Sequence, residues 1–176
     1  MKKFLLILAI AIGIAWTVRN YDSQPQGRCQ TDVSDLTFVE MPSGLPSQIK
    51  KYAHYTVSFN PETHTPNWVA WTLEGAKTDG QIKRSNKFWA DESIDGCAQT
   101  SDYRNTGYDR GHMAPAGDMK WDRTAMEECF SLANIVPQAH TLNSGSWGKL
   151  EEKCRQRAVA DSIVVIVCGP VPNETP

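Results

Sequence analysis

Residues 108–118 read Tyr-Asp-Arg-Gly-His-Met-Ala-Pro-Ala-Gly-Asp, placing Asp109, Arg110, His112 and Asp118 within one short stretch. Such a cluster is either an ordinary charged turn or the working end of an enzyme. His112 suits the second reading, because an imidazole titrates near pH 6.5 and can serve as a general base close to neutrality. Gly111 beside it permits a tight backbone path, and Arg110 brings a permanent positive charge. A structural histidine among solvated charges is the competing reading.

Outward from this stretch, the chain alternates strands and helices. Residues 54–60 (HYTVSFN) alternate Tyr55, Val57 and Phe59 with polar neighbours, which predicts a half-buried strand. A turn follows, and residues 68–73 (WVAWTL) return as the partner of a hairpin. Residues 74–94 are polar and irregular, with Lys83, Arg84 and Lys87 close together. A short strand is expected around Asp109–His112. Residues 123–134 carry Ala125, Met126, Cys129, Phe130 and Ala133 at helical spacing. Residues 135–138 (IVPQ) read as extended before and through Pro137. A second helix starts near Asn143–Ser146, and residues 162–170 (SIVVIVCGP) form an apolar run that fits a central buried strand. The sum is an α+β fold: a mixed or antiparallel sheet with packed helices.

On the second helix, Asn143, Trp147, Glu151 and Arg155 fall at four-residue steps and so share one drifting face. Taken alone, Glu151 and Arg155 read as an exposed i,i+4 ion pair worth about a few tenths of a kcal/mol. A histidine, arginines and an amide carbonyl that can bind a hard cation also suit phosphodiester hydrolysis.

The 176 residues fit one domain, with 40% hydrophobic and 22% charged residues, the balance of a globular chain. A formal net charge of −2 does not by itself announce a nucleic-acid binder. The start is more informative: Lys2 and Lys3 precede an apolar run from Phe4 to Val18. Residues 1–20 therefore read as a signal peptide or a membrane anchor, and the protein as exported, periplasmic or extracellular. Residues 21–52 read as linker, and residues 53–176 as the folded domain. Cys29, Cys97, Cys129, Cys154 and Cys168 form no Cys-x-x-Cys pair, so a structural zinc site is not expected.

Three blocks in order, DRGHMAPAGD (109–118), SLANIVPQ (131–138) and LNSGSWGKLEEKCR (142–155), resemble the DNA/RNA non-specific endonuclease family. These are ββα-metal (His-Me finger) nucleases, the group that includes mitochondrial endonuclease G. The resemblance implies that His112 is the general base and that Asn143 is the one side chain binding the metal directly. It assigns Arg110 to phosphate, Glu151 to a water on the metal and Arg155 to a further positive group. Asn134 matches an asparagine that orders the site, and Arg84 a second phosphate-binding arginine. Asp109 is expected to orient its neighbours and Asp118 to be structural.

The implied activity is Mg2+-dependent hydrolysis of DNA and RNA with little sequence preference, Mn2+ substituting. The chain stops soon after Gly169-Pro170-Val171, where the family continues, so a domain shortened at its C-terminus is expected. Two rivals stand beside this reading. One is a catalytically impaired nucleic-acid-binding module of the same fold. The other is a hydrolase using Cys129 or Ser131 with His112, which lacks any Gly-x-Ser-x-Gly elbow.

Overall fold

The computed structural model describes residue 39 and residues 43–171. In chain order its strands and α-helices are β1 (Gln48–Lys51), β2 (Tyr55–Asn60), β3 (Thr65–Glu74), β4 (Asp109–His112), α1 (Arg123–Glu128), β5 (Ile135–Gln138), α2 (Gly148–Asp161) and β6 (Ile163–Cys168). Strands β1, β2, β3 and β6 form an antiparallel sheet in that order, and β4 pairs with β5 in a separate antiparallel ribbon. This is the α+β arrangement that the sequence pattern calls for, with the named strands all paired antiparallel and one isolated parallel bridge between Trp89 and Ser131.

The expected hairpin is β2 and β3, with Val57 opposite Val69. Its far end is irregular: the register shifts between Ser58 and Phe59, which faces Pro66. Pro66 has no N–H to give the ladder, and a bulge absorbs the mismatch. Asn67, the extra residue, donates its amide to Pro46 O at 3.0 Å and to Ser58 Oγ at 3.2 Å. Phe59, Val69, Leu73, Met119, Met126 and Phe130 form the centre of the core, all at most 2% exposed.

Four features depart from the sequence reading. Residues 48–51 are a strand, not part of a linker over 21–52, and Gln48 pairs opposite Phe59. Its only apolar side chain, Ile49, is 46% exposed, so no buried alternation marks it. The first helix ends at Glu128 and does not run to residue 134. Beyond it the backbone is taken by other partners: Leu132 N donates to Trp89 O at 2.8 Å, and Ser131 caps a short 3-10 turn over Leu132–Asn134.

Strand β6 lies at a sheet edge beyond β3, with Ile163 and Val167 43% and 42% exposed, and not in the sheet centre. The helix expected from Asn143 begins as a π-helical turn, Leu142–Trp147, in which Gly145 leaves helical geometry before α2. Residues 1–20, read as signal or anchor, lie outside the described residues, as does Cys29. The four described cysteines, Cys97, Cys129, Cys154 and Cys168, are free thiols.

The β4–β5 ribbon is fixed to the core by Asn134, which is fully buried. Its amide donates to Ala114 O at 2.9 Å and Cys129 O at 2.8 Å, and its carbonyl accepts from Ala114 N at 2.9 Å. Asn134→Ala would leave three backbone groups unpaired in the interior. Each such group costs about 1–3 kcal/mol, so urea unfolding should show a loss of about 3 kcal/mol with the slope of the transition unchanged.

Candidate active site

The ribbon β4–β5 and helix α2 form a ββα unit, and the candidate residues converge on it. His112 ends β4 and is 6% exposed. Its ring packs edge-on to Phe130 at 4.8 Å between centroids and lies tilted to Phe88 at 5.5 Å. The Nε2 atom is buried and has no hydrogen-bond partner. Burial in this aromatic pocket, with the charges of Arg84 and Arg110 adding to it, pushes the imidazole pKa down to about 3. The ring is therefore neutral at physiological pH and keeps a free lone pair. Its carbonyl accepts from Trp147 Nε1 at 3.2 Å, which ties β4 to the start of α2.

Two glycines make this geometry possible by having no side chain. A Cβ on Gly111 would stand 2.6 Å from Gln138 Cβ, across the ribbon. A Cβ on Gly117 would stand 2.7 Å from Arg155 Nη1. Gly111 therefore requires the close approach that only glycine permits, and a side chain at Gly117 would displace the Arg155 guanidinium.

Arg84 and Arg110 flank the histidine. The Arg110 guanidinium lies 4.2 Å over the Phe88 ring, and that of Arg84 lies 5.0 Å from the Phe130 ring. Arg84 Nε also donates to Asn86 Oδ1 at 2.8 Å. Neither arginine forms an ion pair with a carboxylate among the described residues. The loose sequence match of Arg84 thus falls beside the same imidazole as Arg110.

Asp109 organises the opposite side. Its Oδ2 accepts from Asn143 Nδ2 at 2.9 Å and pairs with His140 Nδ1 at 2.9 Å. These bonds hold the Asp109 carboxyl below its usual range, Asn143 contributing most. A carboxylate only accepts, so the amine end of Asn143 must face it. Asn143 Oδ1 is then the end left over, a hard oxygen donor of the kind Mg2+ takes. Among the described residues no group of three or more His, Cys, Asp and Glu side chains could hold a metal ion.

Helix α2 supplies Glu151 and Arg155, but not as the mutual ion pair that spacing suggests. Arg155 Nη1 donates to Asp118 Oδ1 at 2.9 Å, and Nη2 and Nε reach Glu152 at 3.1 Å. Asp118 is 2% exposed and also accepts from Trp71 Nε1 at 3.0 Å, so its role is structural. Glu151 makes no hydrogen bond or ion pair among the described residues. Burial pushes its carboxyl up to about 6, against the nearby charges of Arg155 and Arg84. Asn134 is buried and fully engaged by the backbone of Ala114 and Cys129.

The nucleophile rival finds no support in this geometry. Burial pushes the Cys129 thiol up to about 12, and its Sγ donates to Met126 O at 3.3 Å. Ser131 is buried and bonded to Tyr52 at 2.9 Å. The sequence reading passed over His140, Phe88 and Phe130. His140 carried one usable signal, a histidine three residues before Asn143 at a helix entry. The two aromatic walls carried none, since Phe88 in an irregular segment and Phe130 on an apolar helical face both read as generic core.

Comparison with known proteins places the chain in a family. The family model for DNA/RNA non-specific endonucleases matches residues 32–176. The mitochondrial nuclease EXOG of Danio rerio is 40% identical over 134 residues, 73% of this chain and 39% of that protein. The mitochondrial endonuclease G of Bos taurus is 36% identical over 134 residues, 73% of this chain and 44% of that protein. A crystal structure of the EndoG/EndoGI complex matches with a TM-score of 0.71 and 29% identity, over 78% of this chain and 58% of that chain. The chain spans about two fifths of the length of these curated relatives.

The relatives also correct the expectation of an exported protein, since they are named mitochondrial nucleases. A basic start followed by an apolar run does not by its chemistry specify a destination. Among the described residues no helix is long and apolar enough to cross a membrane. By its family match, its relatives and its ββα site, the chain belongs to the DNA/RNA non-specific endonuclease family.

Proposed function

We propose that this chain is a metal-dependent endonuclease that hydrolyses phosphodiester bonds of DNA and RNA with little sequence preference. The observation that carries the reading is His112: a buried, neutral imidazole with an unpartnered nitrogen, flanked by two arginines that have no carboxylate partner. A purely structural histidine would have its ring nitrogens satisfied.

In this reading His112 takes the proton of the attacking water, and Arg110 and Arg84 receive the phosphate oxygens. The two guanidiniums disfavour an imidazolium in the free site. A bound phosphodiester offsets their charge, so the imidazole becomes easier to protonate just when substrate is present. Asn143 Oδ1, aimed by the Asp109 hydrogen bond, would hold a divalent cation, Mg2+ or Mn2+. Such a cation stabilises charge on the phosphate and on the departing 3′ oxygen. Glu151 accepts hydrogen bonds from water in the site. Arg155, engaged by Asp118 and Glu152, serves as a fixed positive charge behind Glu151. Contacts to phosphate bind without reading bases, which is why little sequence preference follows.

Plasmid cleavage by the full chain tests this. Cutting is expected with Mg2+ and none with EDTA. His112→Ala should lower the rate about a hundred- to ten-thousandfold with the circular dichroism spectrum unchanged. A folded wild-type chain that binds DNA but cuts under no divalent metal would instead favour the impaired binding module.

The neutral histidine also predicts a pH dependence of stability. Its folded pKa of about 3 lies below the unfolded value of about 6.5, so between them the unfolded chain binds the extra proton. The contribution is complete above pH 6.5 or so and is lost progressively as pH falls toward 3. Urea midpoints measured down that range should therefore fall less steeply for His112→Gln than for the wild type. Parallel curves for the two proteins would show that His112 does not titrate in this way.

A further inference from the structure

We infer that the cleft beside Arg110 is a seat for one unpaired nucleobase next to the scissile phosphate, an inference that rests on the nuclease reading above. A cavity of about 690 Å3 opens there, walled by the aromatic rings of Phe88, Tyr103 and Tyr108 and by Lys87, Arg104 and Arg110. Phe88 belongs to both sites: it lines this cavity, and its ring lies 5.5 Å from that of His112. Whatever occupies the cleft is thus separated from the general base by one ring.

The lining has the two chemistries that a nucleotide presents. Aromatic faces receive a base by stacking, and cations receive the phosphates on either side of it. Lys87, Arg104 and Arg110 have no carboxylate partner among the described residues. Asp109, the one carboxylate at the cleft, is engaged by Asn143 and His140.

Tyr103 is held in place, its hydroxyl donating to Ile135 O at 3.1 Å. Tyr108 differs. It is 54% exposed, it precedes β4 directly, and its side chain makes no hydrogen bond among the described residues. Being two residues from Arg110, it stands on the same side of the extended chain. A large ring left in water at that place gains most by covering a flat π-face. Only an unpaired base can offer one, because a base within a duplex has both faces covered by its neighbours. The seat should therefore favour single-stranded or locally opened substrate, of any sequence.

The test is fluorescence anisotropy with the full chain in EDTA, using a short labelled thymidine oligonucleotide and a duplex of the same length. Base–aromatic stacking is worth about 1–3 kcal/mol per base, so Tyr108→Ala should weaken single-strand binding roughly 5- to 150-fold. Duplex binding should stay as it was, and Tyr108→Phe should keep the wild-type affinity. Scanning one abasic position along the oligonucleotide should reproduce the loss in the wild type at one place and add nothing in Tyr108→Ala. Unchanged single-strand binding by Tyr108→Ala overturns the seat, as does an equal loss for strand and duplex. If Tyr108 passes these tests while the wild type cuts no plasmid, the nuclease reading falls and the seat stands. If the wild type cuts and Tyr108→Ala binds normally, the seat falls alone.

Discussion

The carboxylate of Asp118, 2% exposed, accepts from Trp71 of the central hairpin and from Arg155 of the site helix. It is the joint between the sheet and the ββα unit. A buried charge is costly unless paired and hydrogen-bonded, and removing one partner of such a pair typically costs about 3–5 kcal/mol. The pairing is therefore strongly specified: β3 and α2 have one relative position in which Asp118 is satisfied. Gly117 belongs to the same constraint, since a side chain there would occupy the place of the guanidinium. Through this joint the sheet sets where Glu151, one turn earlier on α2, stands relative to His112.

The site's electrostatics follow from what is paired and what is left unpaired. The chain carries a formal charge of −2, yet the groups around His112 are mostly cations without carboxylate partners. Where a carboxylate does occur, it is occupied: Asp118 by Arg155 and Trp71, Asp109 by Asn143 and His140. The exception is Glu151, whose carboxyl burial raises to about 6. Global charge thus says little about this surface, because the negative charges are spent on internal order and the positive ones are left facing outward.

How far this could be read from sequence depended on whether local pattern or distant partners decided each element. The β2–β3 hairpin was legible from alternation, and β4 and β5 from their position around His112 and Pro137. Strand β1 was not, because Gln-Ile-Lys-Lys buries little and is held by backbone pairing to β2. Helix α1 was over-extended because the helical spacing through Phe130 and Ala133 is real. The backbone there nevertheless bonds to Trp89, which no local rule shows. The apolar run of β6 suggested a strand with two neighbours, and among the described residues it has one. In the site, residue types were legible and partners were not. The i,i+4 spacing pointed Arg155 at Glu151, whereas the fold gives it Asp118, thirty-seven residues away.

The aromatic rings connect these observations. Phe130 excludes water from His112 and carries Arg84 over its face, and Phe88 does the same with Arg110. Each ring thus lowers the imidazole pKa through burial and also positions the cation that a phosphate would engage. Water exclusion and the placing of the two guanidiniums thus share the same two side chains. The arrangement explains why arginine and not lysine suits both positions: a planar guanidinium can lie flat on a ring and still direct N–H groups outward. A flat cation on a flat ring engages phosphate and stacked base without reading base edges. Under the proposed function, the physics that keeps His112 neutral would also favour binding that is indifferent to sequence.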